Sequence, residues 1–461
     1  MRFHISTLGC PKNVVDSEGM QRLLLEAGYE QAPKPEAADV IILNTCGFID
    51  VAKEESIDAL VQAALLKRPG QALIAAGCLA QRYEADLQRE IPEIDGVIGT
   101  RHWPEIVDFL RVNGYGLGVK EPLAPGPYPL TPSAYLKISD GCNAPCAFCV
   151  IPQIKGPYWS KPREEVLREA CQLVAGGVKE IVLIAQDTTA YGSDRGEKDG
   201  LAELIVRLLH SVPELPWLRL MYAYPQHITP GLIETMARHR PVCHYLDLPL
   251  QHAHPDTLKR MARPHNVGRI RRLISDLREA MPDIALRTSF IVGYPGETEE
   301  EYQTLLGFIE EMRFDRVGIF TYSQEEGTPA AAMPGQVPRQ VKEERRHRAM
   351  ALQQRVSLEN NRKWVGRRLE VLVEGEQKPA RKRSGSDHGS PFLVGRSFRD
   401  APEVDGLIFV TGRARVGEIV PVLITKAMEY DLWGEVDDTQ GASNPLGTPG
   451  LLAHRAFLDI H

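Results

Sequence analysis

No stretch of this 461-residue chain comes near the roughly 20 consecutive apolar residues that a bilayer crossing needs. The start is as unfavourable to secretion, since Met1 to Cys10 runs straight into Pro11, Lys12 and Asn13 and leaves no apolar core for a signal segment. A cytoplasmic location with no membrane partner is the expectation. Aromatics are sparse at 7%, yet 43% hydrophobic and 25% charged residues are ordinary for a folded protein. Eight cysteines in a reducing compartment do not make a disulfide framework, and six of them fall into two groups that read better as metal ligands or reactive thiols. Strong positive charge is also missing. The net is −7, which argues against a general nucleic-acid binder, but the average hides a local excess. From Arg339 to Arg383, 14 Lys and Arg face 6 Asp and Glu, a net of +8 that leaves −15 elsewhere. That stretch is either a solvated helix face with a basic loop or a patch facing an acidic or RNA-containing partner.

Length suggests about three domains. Three short apolar runs, Phe3 to Leu8, Val40 to Leu43 and Ala72 to Ala76, are each followed by a cysteine and then by helical spacing near Ser17 to Ala27, Ala52 to Leu66 and Ala80 to Arg89. The alternation predicts an α/β fold that opens with a parallel sheet covered on both faces, over residues 1–120. Leu117 to Pro132, LGVKEPLAPGPYPLTP, reads as a linker. Strand candidates follow at Tyr135 to Ile138, Ile181 to Ala185, Leu218 to Ala223, His244 to Leu248, Ala285 to Val292 and Arg316 to Tyr322. Helical patterns at Arg163 to Ala175, Leu201 to Leu209, Val267 to Ala280 and Thr298 to Met312 lie between them. Together they predict a partial TIM-like (β/α)6 barrel over residues 132–364, closed by a charged helix from Arg339 to Trp364. Short strands at Arg368 to Val373, Gly406 to Val410 and Val416 to Ile424 then predict a small antiparallel β-barrel over 366–436. The tail 437–461 reads as unstructured, with a short helix at Leu451 to Ile460.

Cys142, Cys146 and Cys149 sit in ISDGCNAPCAFCVIP, directly after the first strand of the second alternation. Three thiolates within eight residues can wrap one face of a cubane iron–sulfur cluster and leave its fourth iron open. A structural zinc would want a fourth Cys or His, and none comes before Cys171 on the next helix. An open iron can chelate the amino and carboxylate groups of S-adenosylmethionine, and cluster potentials down to about −700 mV make reduction of its sulfonium feasible. Cys10, Cys46 and Cys78 are far apart, but STLGC, ILNTC and IAAGC put each at the carboxyl end of a parallel strand. That edge is where open α/β sheets bind ligands. The three either converge on a second cluster or are unrelated buried thiols, while Cys171 and Cys243 read as apolar packing residues.

Polar residues at the ends of the barrel strands are candidate S-adenosylmethionine contacts: Gln186 and Asp187, Gln251 beside His252, and Arg287 and Ser289. Capping and loop hydrogen bonds would use the same residue types. FIVGYPGET, Phe290 to Thr298, ends a strand in a Gly-rich turn that suits either close approach to a ligand or a plain βα turn. His227, His254 and His265 have no metal-binding spacing and read as surface or loop histidines.

The CxxxCxxC loop, with Phe148 before its last cysteine, resembles the radical S-adenosylmethionine superfamily. Two three-cysteine sets followed by a small β-barrel resemble the methylthiotransferases within it, over about residues 1 to 436. The resemblance implies that Cys10, Cys46 and Cys78 bind an auxiliary 4Fe-4S cluster and that Cys142, Cys146 and Cys149 bind the catalytic, radical-generating one. It implies a C-terminal TRAM domain, S-adenosylmethionine as radical source and methyl donor, and an electron donor and a sulfur donor as partners. An unactivated carbon–hydrogen bond is too weakly acidic for a side-chain base, so a 5'-deoxyadenosyl radical is implied. One branch of these enzymes modifies tRNA adenosine and another the β-carbon of an aspartate in small-subunit ribosomal protein S-twelve. LGCPKNVVDSE from Leu8 to Glu18, NTCGFID from Asn44 to Asp50, and GRSFRDAPEVDG from Gly395 to Gly406 resemble the protein branch, where the tRNA branch reads GCQMN at the first. Lys155-Gly156 and Ser160-Lys161 stand where Arg-Gly and Ser-Arg are usual, with charge retained. The expected partner is ribosomal protein S-twelve or the assembling small ribosomal subunit, with an RNA contact through Arg339 to Arg383 left open. Asp400, Glu403 and Asp405 would either grip a basic protein or form a polar turn. A tRNA adenosine enzyme is the alternative, and an RNA-binding module with structural clusters the alternative class.

Overall fold

Two of the apolar runs, VIILNT and ALIAA, are buried along their whole length, and a strand apolar on both faces belongs in the middle of a parallel sheet. The computed structural model describes residues 1–117, 131–377 and 392–437. Most of the expected linker, the tail with its helix at Leu451 to Ile460, and Lys378 to Arg383 lie outside the described residues.

The chain opens with β1 (Arg2–Thr7), α1 (Pro11–Glu26), β2 (Glu30–Gln31), β3 (Val40–Thr45), α2 (Asp50–Leu66), β4 (Ala72–Ala76), α3 (Gly77–Glu90), β5 (Gly96–Gly99) and α4 (Ile106–Leu110). All its strands are parallel, in the order β2-β1-β3-β4-β5. Helix α1 starts at Pro11, six residues before the expected Ser17. Proline is tolerated in a first turn, and the buried Lys12, Asn13 and Asp16 disguised the turn as a loop.

The second sheet is built from β6 (Ser133–Lys137), the small pair β7 (Ser139–Asp140) and β8 (Trp159–Ser160) flanking α5 (Ile151–Lys155), then α6 (Arg163–Ala175), β9 (Glu180–Ile184), α7 (Gly200–Ser211), β10 (Trp217–Leu220), α8 (Pro230–Arg238), β11 (Val242–Asp247), α9 (Pro255–Arg260), α10 (Val267–Ala280), β12 (Ala285–Val292), α11 (Glu299–Met312) and β13 (Arg316–Thr321). Six parallel strands follow chain order, β6-β9-β10-β11-β12-β13, so the predicted partial barrel is present. Val166, Leu204, Leu232, Ile274 and Leu305 seat the helices on its outer face. Cys171 lies exposed on α6 rather than in the core, whereas Cys243 is buried as expected.

Helix α12 (Arg339–Arg362) leads to β14 (Arg368–Gln377), β15 (Phe392–Arg396), β16 (Ile408–Thr411), β17 (Ile419–Ala427) and β18 (Leu432–Val436), which close into a barrel in the order β14-β15-β16-β18-β17. Strands β15 and β18 escaped the sequence reading because five residues interrupted by a glycine are too few for a period-two pattern. The arginines of α12 are largely spent on carboxylates: Arg345 and Arg348 on Glu299, Arg355 on Glu310, and Arg346 on Glu343. This helical part of the basic stretch is therefore a charge-paired face on which Arg348 and Arg355 stay exposed and Arg346 partly exposed, as the solvated-helix reading had it.

The loop after β15 plugs the amino-terminal end of the half-barrel. Arg396 pairs with Glu180 at 2.6 Å, and Arg219 donates to the carbonyls of Ser397 and Phe398. Arg316 holds Asp400 at 2.6 Å, and Asp405 takes Tyr245 at 2.6 Å and Arg287 at 3.4 Å. The Asp400 and Asp405 side chains are almost fully enclosed, so of the two readings of this run the turn, and not the grip on a basic protein, is the one they fit. Of the three acids only Glu403 faces solvent.

Candidate active site

Each cysteine of the first set stands where a strand gives way to a turn. Cys10 is the residue before α1, Cys46 follows β3, and Cys78 is in the first turn of α3. Gly9 and Gly77, at φ +95 each, make two of these turns possible. A Cβ at Gly9 would stand 2.7 Å from the Cys46 Cβ, and one at Gly77 only 2.3 Å from Asn44 Oδ1. Asn13 ties the loops together by donating to the carbonyls of Leu8 (2.8 Å) and Thr45 (3.2 Å) and accepting from the Cys78 thiol (3.7 Å).

The second set occupies the loop after β7. The Ala144 N–H points at Cys142 Sγ (3.4 Å), the Ile151 N–H at Cys149 Sγ (3.5 Å), and the Arg263 guanidinium at Cys146 Sγ (3.6 Å). Burial pushes the Cys78 and Cys149 thiols up to about 12 and also raises Cys46 and Cys142. Bare, these would be neutral thiols; a coordinated metal would deprotonate them. Donors aimed at the sulfurs suit that charged state.

Among the described residues, neither triad brings all three sulfurs within 4.8 Å of one another. A single tetrahedral zinc, with Zn–S bonds of about 2.3 Å, would hold its sulfurs about 4 Å apart. The donor set of three thiols per site, with no fourth Cys or His in the second loop, is the one that suits a cubane with an open iron. His254, Asp256 and Glu301 do meet the 4.8 Å limit. His254 caps α9, however, and Glu301 holds Arg260 at 2.7 Å and completes the cap of α11 with Thr298.

One short segment joins the two sets. After β10, Tyr222 lies under Lys12 with the ammonium 2.9 Å from its ring centroid, next to Cys10. Two residues on, the Tyr224 ring lies 4.2 Å from the guanidinium of Arg263, the arginine that reaches Cys146. The two halves are also locked by charge. Asp16 of α1 accepts from Lys137 (2.5 Å) and Lys155 (3.0 Å), and Lys155 also donates to Thr100 (2.6 Å). Burial works against the Lys155 ammonium, but Asp16 and Asp140 hold it above its ordinary value. None of Lys12, Tyr222, Tyr224 or Arg263 stood out as a site residue in the sequence; Lys12 alone lay inside a quoted motif.

The strand-end residues divide. Gln186 Oε1 is buried without a hydrogen-bond partner. Gln251 (φ +73) bridges its backbone to Phe290, and Ser289 accepts through its carbonyl from the Gln251 N–H. Asp187 instead caps the turn at Ala190, accepts from Thr189, and meets His227 at 2.7 Å. That hydrogen bond raises the imidazole of His227, an exposed surface histidine as expected, above its ordinary value. Arg287 spends its charge on Asp247 (2.8 Å) and Asp405. The FIVGYPGET segment is a capped βα turn, closed by reciprocal hydrogen bonds between Thr298 and Glu301.

The uncharacterized protein family UPF0004 matches residues 2–99, the Radical SAM superfamily residues 136–309, and the TRAM domain residues 365–436. Curated proteins named ribosomal protein uS12 methylthiotransferase RimO are similar over nearly the whole chain. That of Roseiflexus sp. (strain RS-1) is 50% identical, covering 95% of this chain and 97% of its own. That of Chloroflexus aurantiacus is 50% identical, covering 94% and 99%, and that of Geobacter sulfurreducens 46%, covering 93% and 97%. Among solved structures, the radical S-adenosylmethionine methyltransferase TsrM from Kitasatospora setae shares the fold at TM-score 0.53 and 15% identity, covering 82% of this chain and 81% of that one. At half identity end to end, with the Radical SAM and TRAM matches falling on the half-barrel and the closed barrel, the chain belongs to the RimO family of methylthiotransferases.

Proposed function

We propose that this enzyme adds a methylthio group to the β-carbon of an aspartate in ribosomal protein uS12. The observation that carries the reading is the Tyr222–Tyr224 segment, which places Lys12 and Cys10 on one side and Arg263 and Cys146 on the other. Two thiol sets reached from one short segment suit a reaction that needs two metal groups in turn. Relatives named for this activity on uS12 add support.

In this reading Cys142, Cys146 and Cys149 hold the radical-generating 4Fe-4S cluster, and Cys10, Cys46 and Cys78 the auxiliary one. When bound, the clusters and S-adenosylmethionine would supply one-electron reduction, hydrogen-atom abstraction, and delivery of sulfur and methyl. The chain's own residues do the rest. Backbone N–H groups of Ala144 and Ile151 and the Arg263 guanidinium neutralise sulfur charge. Asn13 fixes the auxiliary loops, and the buried pairs of Asp16 hold the two thiol sets at a constant separation. Gln186, with its orphaned buried oxygen, and Gln251 and Ser289 at the mouth are the residues for S-adenosylmethionine, whereas Asp187 and Arg287 act through their neighbours.

The working division is a methylthiotransferase domain at 1–120, a radical domain at 132–364 and a TRAM domain at 366–436. The partners are uS12, free or in the assembling subunit, an electron donor and a sulfur donor. Phe392, Phe409 and Trp433 form a half-buried aromatic group on the outside of the closed barrel, with centroids 4.9–5.6 Å apart. Such rings offer unpaired bases a stacking face, which favours an RNA contact here rather than along α12.

The test is anaerobic incubation of the iron- and sulfide-loaded enzyme with S-adenosylmethionine and a reductant, with either uS12 or tRNA as acceptor. The expected product is uS12 heavier by one methylthio group in place of hydrogen. A gain on tRNA alone would establish the tRNA reading in its place.

A further inference from the structure

Glu325 lies in the loop after β13 and is 2% exposed. It pairs with Lys53 of α2 at 2.9 Å and with Arg82 of α3 at 3.3 Å, and it accepts from the Ser323 hydroxyl at 2.6 Å. Arg82 goes on to donate to the Gly47 carbonyl at 2.7 Å, next to Cys46. Gly47 in turn lies against the turn that carries Cys78, since a Cβ there would stand 2.8 Å from the Leu79 N and 3.0 Å from the Cys78 carbonyl carbon. One buried carboxylate is thus connected to two of the three cysteines of the first set.

The same loop reaches the second set. The Ala330 N–H donates to the Ala147 carbonyl (2.9 Å), between Cys146 and Cys149, and Gln153 of α5 donates to the Gly327 carbonyl (2.8 Å). The chain from Glu325 to Ala330 can span at most about 18 Å. Thr328 tightens it further by donating to the Glu325 carbonyl through its hydroxyl (2.7 Å) and its N–H (3.2 Å). Buried ion pairs add little net stability over apolar packing of the same volume, and their best-attested use is to fix one register among several. The Asp16 pairs tie the two thiol sets at one place, which by itself leaves a hinge. Glu325 supplies a second tie, on α2 and α3 in place of α1, and two ties remove the hinge.

We propose that Glu325 is a positioning residue for the reaction: through Arg82 and Gly47 on one side and Ala330 on the other, it fixes the placement of Cys46 and Cys78 relative to Cys146 and Cys149. The proposal rests on the functional reading above, in which both thiol sets serve one substrate atom. Glu325 reaches no cysteine itself and acts only through these neighbours. A misplacement of about 1 Å between groups that must act on one atom costs on the order of a hundredfold in rate. Cleavage of S-adenosylmethionine, which in this reading needs the second set alone, is not slowed by it.

The experiment compares variants of the full-length iron-loaded protein by pulsed electron paramagnetic resonance, which reads the magnetic coupling between the two reduced clusters. Glu325→Gln keeps the shape and the Ser323 bond but removes the charge; Arg82 retains two carbonyls and Lys53 retains Asp50 at 2.6 Å, so the fold is expected to hold. The expected result is unchanged iron content with a broadened coupling. Methylthiolated uS12 per S-adenosylmethionine cleaved should fall about tenfold to a hundredfold, with the KM for uS12 within about twofold. Glu325→Asp should recover part of the loss. Gln153→Ala, at the exposed end of the strut, should broaden the coupling less, and it decides the outcome if Glu325→Gln loses iron. An unchanged coupling, or cleavage that falls in step with product, overturns the proposal. A wild type with about four irons removes the functional reading and the proposal together. Methylthiolated tRNA in place of uS12 removes the reading alone, and the coupling in the variants still decides the strut.

Discussion

Arg396 of the closed barrel and Glu180 at the start of β9 meet at 2.6 Å, with side chains 1% and 0% exposed. Glu180 also holds Arg219 at 2.7 Å, so one buried carboxylate serves two guanidinium groups from different parts of the chain. Burial alone would raise the Glu180 carboxyl, but Arg219 and Arg396 outweigh it and hold it down to about 2.

Glu180→Gln strands Arg219, whose carboxylate it is, while Arg396 keeps Glu374 at 2.6 Å, and is expected to cost about 3 kcal/mol, the lower end of the penalty for breaking a buried pair. Urea titration read by the fluorescence of Trp217, beside the lock, would measure it. The pH dependence has a fixed sign. A carboxylate with a depressed folded value stabilises fully above its unfolded value of 4.5 and loses that contribution as pH falls toward 2. Wild type should therefore lose stability across that window faster than the glutamine variant, and parallel curves would refute the lock.

The buried and exposed acids of the DAPEVDG run should behave oppositely. Asp405→Ala leaves the Tyr245 hydroxyl and the Ala401 N–H without their acceptor and Arg287 with Asp247 alone, and is expected to cost about 3 kcal/mol. Glu403→Ala, at an exposed position, should stay within about 1 kcal/mol. Thermal melts of the two variants side by side decide this, and similar losses would count against a plug.

Iron analysis tests the two thiol sets separately. Anaerobically loaded wild type should carry about eight irons, and Ala at Cys10, Cys46 and Cys78 together, or at Cys142, Cys146 and Cys149 together, should leave about four. Near-stoichiometric zinc in place of iron would refute both cubane assignments.

Arg263 should tune the second set. Its guanidinium is 3.6 Å from Cys146 Sγ, and positive charge near cluster sulfur favours the reduced state. Arg263→Met is expected to lower that cluster's potential by about 60 mV, the one-electron equivalent of a charged hydrogen bond worth about 1.4 kcal/mol. A potentiometric titration followed by electron paramagnetic resonance reads the shift, and an unchanged potential would remove Arg263 from this role.

The features legible in sequence were local ones. Apolar runs ending in Gly-Cys, and three cysteines inside eight residues, carry their geometry in the spacing itself, because a strand end and a loop place those atoms without help from distant chain. Lys12 could not be read this way, since its partner Tyr222 lies 210 residues on and their contact exists only once two sheets dock. Asp400 and Asp405 looked like solvated acids because nothing in a run of polar residues announces that arginines from Arg287 and Arg316 will meet them. The arginines of α12 left two readings open for the same reason, their counter-charges being on α11. Cys171 was assigned inward on residue type alone, while its place on α6 turned it outward.

The loop from Ser397 to Asp405 fills the amino-terminal end of the half-barrel with buried ion pairs to Arg287 and Arg316. That end is therefore occupied by the protein's own chain, and the opposite, carboxyl-terminal end of the strands, which carries Gln186 and Gln251, is the one left to a ligand.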